Sequence, residues 1–92
     1  MTTGPGAFLE RFARLPRGYT EGLYAGRRYG VIVTTSAGGR QHWLYAEELG
    51  GSDRISFNLY DLRSGPKLKP CEMPAEKVVR FVLDYAPDER TS

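Results

Sequence analysis

The chain's only thiol, Cys71, stands in the run Lys67-Leu68-Lys69-Pro70-Cys71-Glu72-Met73-Pro74, just ahead of an amphipathic segment and close behind two lysines. A helix N-terminus and nearby cations both favour the thiolate, the reactive form of cysteine, so Cys71 is the candidate catalytic nucleophile, with Glu72 pulling the other way. Thiol catalysis also needs a positioned base, and the sole imidazole, His42, falls in a different segment. The competing readings are a small packing residue at a strand-to-helix corner for Cys71 and a surface or edge position for His42. A second constellation is flat and cationic: Arg28, Trp43, Tyr45, Arg54, Asn58 and Tyr60 recur through strand-like text. Aromatic faces stack on bases while guanidinium groups meet phosphates, which is the chemistry of single-strand binding. Glu47, Glu48, Asp53 and Asp61 would repel phosphate there, and they lack the alternating ligand spacing of a calcium loop.

The elements that must position these groups are short. Pro5 suits a first helical position, and Phe8, Leu9, Phe12 and Ala13 recur at helical spacing before Leu15 and Pro16 end the run. From Tyr19 onward the text changes to β-branched and aromatic runs at 19–25, 28–35, 41–48, 54–62 and 67–71. Glycine-bearing breaks at Gly26-Arg27, Ala37-Gly38-Gly39, Gly50-Gly51-Ser52 and Ser64-Gly65-Pro66 read as hairpin loops. A final helix starts near Pro74, with Ala75, Val78, Val79, Val82 and Ala86 as its core stripe, Phe81 and Tyr85 beside it, and Pro87 as its stop. The expected fold is α+β in two layers: an antiparallel meander of four or five strands, with a short N-terminal and a longer C-terminal helix on one face.

Side chains alternate across a strand, so each run divides into two sets. Ile55, Phe57 and Leu59, Val31 and Val33, and Leu44 and Ala46 form the core set. The opposite set carries Arg28, Trp43, Tyr45, Arg54, Asn58 and Tyr60. Whether Trp43 and Tyr45 stand on that open face or turn into the core with their polar tips at the edge stays open at this level.

The whole chain bounds these readings. With 92 residues it has room for one domain, expected over 5–87 with flexible tails at 1–4 and 88–92. A chain this short buries only a little over ~60% of its unfolded surface, which favours a shallow site over a deep one. One cysteine excludes an internal disulfide, and no Cys/His pair has zinc spacing, so no metal or cofactor is expected. No run approaches a membrane span and no signal-peptide pattern opens the chain, which points to the cytoplasm. Net charge is +2 with the front half basic, and Arg11, Arg14 and Arg17 could extend a basic surface toward Arg27, Arg28 and Arg40.

The order of four strands and a proline-started amphipathic helix resembles the unit of Pur-alpha, Whirly and related single-strand-binding coactivators, which implies nucleic-acid binding by fold analogy. The runs Arg28-Tyr29-Gly30-Val31, Leu44-Tyr45-Ala46-Glu47-Glu48-Leu49-Gly50-Gly51, Ile55-Ser56-Phe57-Asn58 and Leu68-Lys69-Pro70-Cys71-Glu72-Met73-Pro74 also resemble short uncharacterised bacterial proteins. Some of those carry the label peptide methionine sulfoxide reductase, and the resemblance covers most of 17–85. That label implies attack of Cys71 on the sulfoxide sulfur and resolution by a second thiol. This chain lacks a Gly-Cys-Phe-Trp motif, CxxC pairs and a second cysteine. The expectation is therefore a small non-enzymatic binding module, with single-stranded nucleic acid as ligand and Arg28, Trp43, Tyr45, Arg54 and Tyr60 as its contact face. The alternative is a thiol enzyme using Cys71, and a protein partner or a second copy of the chain are rival occupants of the same face.

Overall fold

The computed structural model describes residues 5–36, 38–62 and 65–88. Its elements run α1 (Pro5–Arg14), β1 (Gly18–Tyr24), β2 (Arg27–Thr35), β3 (Gln41–Glu48), β4 (Arg54–Leu62), β5 (Gly65–Pro70), α2 (Ala75–Asp84) and β6 (Ala86–Pro87). The strands form one sheet in the order β5-β4-β3-β2-β1-β6, antiparallel at every pairing. The fold is the expected α+β meander with a helix at each end, but the C-terminal helix is not the longer one: α1 and α2 each have 10 residues, because the chain leaves α2 at Tyr85 to enter the sheet. The parts of the expected tails at 1–4 and 89–92, and Ala37 and Ser64 of the expected loops, lie outside the described residues.

Leu15 precedes Pro16, a position where helical dihedrals are disfavoured, so α1 stops there with Arg11 and Arg14 in its last turn, the favourable end for cations. The first hairpin turns at Ala25-Gly26, one residue earlier than the sequence suggests. Both residues have positive φ (53° and 78°), the primed geometry that matches strand twist.

Both helices cover one face of the sheet. Phe8 and Phe12 of α1 lie 5.9 and 5.7 Å from the Phe57 ring of β4. Phe81 of α2 packs 5.5 Å from Tyr29 and 4.8 Å from Tyr24. Val31, Val33, Leu44, Ala46, Ile55 and Phe57 form the sheet side of this core. Burying each large apolar side chain contributes about 1.5–3 kcal/mol, the main force holding the layers together.

The C-terminal segment corrects the expected stripe. Val78, Phe81, Val82 and Tyr85 are buried, whereas Ala75 is exposed, Val79 is half-buried and Ala86 has left the helix. A stripe through 78, 81, 82 and 85 brings two large rings to the sheet. Tyr85 then turns the chain: its carbonyl accepts from Arg11 Nη2 at 2.6 Å, and its hydroxyl meets Thr20 Oγ1 at 3.0 Å. Ala86 and Pro87 are thereby laid against Leu23 and Gly22 as a sixth strand that the sequence pattern did not suggest. A proline fits there because an edge strand needs no outward donor. Asp88 continues the pairing, its N–H donating to the Glu21 carbonyl at 2.8 Å.

Candidate nucleic-acid interface

Register decides which side chains share the uncovered face. Trp43 pairs with Asn58, which pairs with Lys69, while Tyr60 pairs with both Gln41 and Lys67. Tyr45 lies between Ile32 and Ser56, and Arg54 opposes Glu47. Leu44, Ala46, Phe57 and Leu59 on the alternate positions are buried under the helices, so these residues point the other way. Trp43 and Tyr45 therefore stand on the open face. Trp43 is 36% exposed, and the two rings stack nearly parallel, 5.9 Å apart at 12°.

The charges on this face are uneven. Arg28 is held by Asp88 at 2.6 Å and by Glu21 at 3.4 Å, and this guanidinium keeps the Asp88 carboxyl below its usual range. Tyr19 donates to Glu21 at 2.9 Å, which raises its phenol pKa, because the bond favours the protonated form. Tyr45 donates to Glu47 Oε1 at 3.2 Å. At the opposite edge, Lys67 and Lys69 on β5 are exposed and have no carboxylate partner among the described residues. The cationic part of the face is thus the β4–β5 edge.

The structure brings Trp43, Tyr45, Arg54 and Tyr60 onto neighbouring strands and places Arg28 on β2, two strands from Arg54, with its charge neutralised by Asp88 and Glu21. Lys67 and Lys69 were missed as face residues, although the alternation in Gly65-Pro66-Lys67-Leu68-Lys69-Pro70 carries the signal. Tyr19, 53% exposed, was missed too, at the start of the least regular strand pattern. The broader basic surface is divided: Arg11 binds the Tyr85 carbonyl, Arg27 binds Glu48 at 3.2 Å, and Arg28 binds Asp88.

Cys71 and His42 do not meet. His42 pairs with Leu59, which pairs with Leu68, while the Cys71 N–H donates to the Ser56 carbonyl at 3.0 Å. Two strands across and three residues along, their backbones are about 14 Å apart. His42 is half-buried on the helix side, edge-on to Phe12 at 5.5 Å, with Nδ1 and Thr35 Oγ1 at 2.9 Å. The acidic group is split, with Glu48 and Asp53 meeting at the β3–β4 turn, where the Asp53 N–H donates to Glu48 Oε1. Asp53 binds Lys77 and Tyr29, each at 2.7 Å, and Asp61 sits at the other end of β4, about 26 Å away. Among the described residues no group of three or more His, Cys, Asp or Glu side chains is placed to hold a metal.

No family model, curated protein or solved structure matches the chain. The functional reading rests on the face itself.

Proposed function

We propose that the chain is a small non-enzymatic binding module whose open sheet face takes single-stranded nucleic acid. The carrying observation is the stacked Trp43–Tyr45 pair on an uncovered face, beside the exposed Lys67 and Lys69. Bases stack on Trp43, Tyr45 and Tyr60, and Lys67, Lys69 and Arg54 meet the phosphates. Arg28 contributes little because its charge is already answered by Asp88 and Glu21.

Fluorescence anisotropy of a labelled single-stranded oligonucleotide tests the reading. Micromolar binding that weakens with salt supports it, and no binding at low salt overturns it. A protein of twice the chain mass on size exclusion, with Trp43 shielded from quencher, would assign the face to a second copy of the chain. A reducing compartment such as the cytoplasm belongs to the same reading, in keeping with a lone thiol. No helix among the described residues is long and apolar enough to cross a membrane.

The sulfoxide-reductase alternative would need another base than His42 to activate Cys71. Iodoacetamide labelling of Cys71 at the rate of an unperturbed thiol at pH 6 would count against it.

A further inference from the structure

On the other side of the sheet's rim, where α1 ends, a cavity of about 290 Å³ opens beneath Arg17. Its size lies just below the roughly 300 Å³ at which small-molecule sites begin, so any occupant is small. Leu9, Phe12, Leu59 and Pro66 give it an apolar lining on three elements, α1, β4 and β5. Phe12 and Leu59 are fixed core residues, which makes that wall part of the folded frame.

Two polar groups converge on this lining. The Arg17 guanidinium lies 5.1 Å from the Phe12 ring centroid, steadied by a 2.9 Å bond from Nη1 to the Leu15 carbonyl. It has no carboxylate partner among the described residues, unlike Arg27 and Arg28. His42 has its Nδ1 engaged by Thr35, and among the described residues no side chain bonds Nε2. Burial and the Arg17 charge hold its pKa down, with Asp61 opposing, so the imidazole is neutral at physiological pH.

We propose that this cavity binds a small monoanion with a flat apolar body, an arylacetate-type carboxylic acid. The ring lies against Phe12, Leu59 and Pro66, and the carboxylate faces Arg17, whose planar donors match its two oxygens. Asp61 lines the same cavity and selects against dianions such as phosphate monoesters. Tyr60 lines the rim of this cavity as well, so the site adjoins the open sheet face, but its ligand needs no nucleic acid.

The test is an NMR titration of the full chain with phenylacetate and with its neutral counterpart, phenylacetamide. The expected result is saturable shifts of the Leu9 and Leu59 methyls and the His42 ring at millimolar phenylacetate or below. Phenylacetamide should bind about tenfold more weakly, the scale of one charge-assisted contact. Arg17→Gln should lose about the same factor, and Asp61→Asn should tighten phenylacetate, which keeps the proposal testable if the Arg17 variant is poorly folded. Equal binding of acid and amide, shifts confined to the open face, or no saturation in the millimolar range would each overturn it.

Discussion

Asp53 shows how one side chain is set by its neighbours. It accepts from Lys77 and from the hydroxyl of Tyr29, a residue only 2% exposed, and these bonds hold its carboxyl below the usual range. Because the folded pKa is depressed, the stabilisation is fully present above the unfolded value of about 4 and is lost as pH falls through the lower folded value. Acid denaturation of Asp53→Asn should accordingly be less steep below pH ~4 than that of the wild type. Asp53→Ala should cost about 1–3 kcal/mol in urea unfolding at pH 7, since it strands the buried Tyr29 hydroxyl. Burial and the bond to Asp53 both raise the Tyr29 phenol pKa, so tyrosinate chemistry at that position is excluded near neutrality. On the open face, Trp43→Ala should weaken oligonucleotide affinity by about 1–3 kcal/mol while far-UV circular dichroism stays unchanged. Wild-type binding in that variant would remove the stacking pair from the site.

At the scale of elements, one turn and one strand position show how backbone sterics set the chain. Ala25 occupies a left-handed position that L side chains other than Asn and Asp resist, beside Gly26, in the β1–β2 hairpin. Ala25→Asn should therefore stabilise the protein by about 0.5–1 kcal/mol, seen as a raised Tm. Gly22 is the opposite case. A Cβ there would run into the Ala86 carbonyl and approach Pro87 Cα to 2.7 Å, so Gly22→Ala should displace β6 and expose the Leu23 amide to hydrogen exchange. The α2 stripe was only partly legible in the sequence, because Val78, Val79, Phe81, Val82 and Tyr85 allow two overlapping helical faces. The face that wins buries Phe81 and Tyr85, which stack at 5.1 Å.

For the molecule as a whole, the separation of a helix-covered face from an uncovered one is the property that matters for binding. The cations without a carboxylate partner lie on β4 and β5 and the acid-paired Arg27 and Arg28 at the start of β2, so the proposed strand should follow the former. With Lys67, Lys69 and Arg54 as phosphate contacts, log K should fall against log salt with a slope of about −2. Lys69→Ala should reduce that slope by about 0.7, and Arg28→Ala should leave it nearly unchanged. The same β5 edge carries Pro66, Lys67, Lys69 and Pro70, a composition that resists strand-to-strand association.

Alternation in β2, β3 and β4 and the proline-bounded helices determine the α+β class, and they group Trp43 with Tyr45 and Arg54 with Tyr60 on one side of their own strands. These are local periodicities, written in residues two or four apart. What only the tertiary structure decided involves residues far apart in the chain. Arg11 reaching Tyr85 accompanies β6, Asp88 neutralises Arg28, the register of β5 brings Lys67 and Lys69 beside Tyr60 and Asn58, and β4 lies between Cys71 and His42. Such pairings depend on strand order and register, which are fixed when the whole core packs, and no short window of sequence contains them.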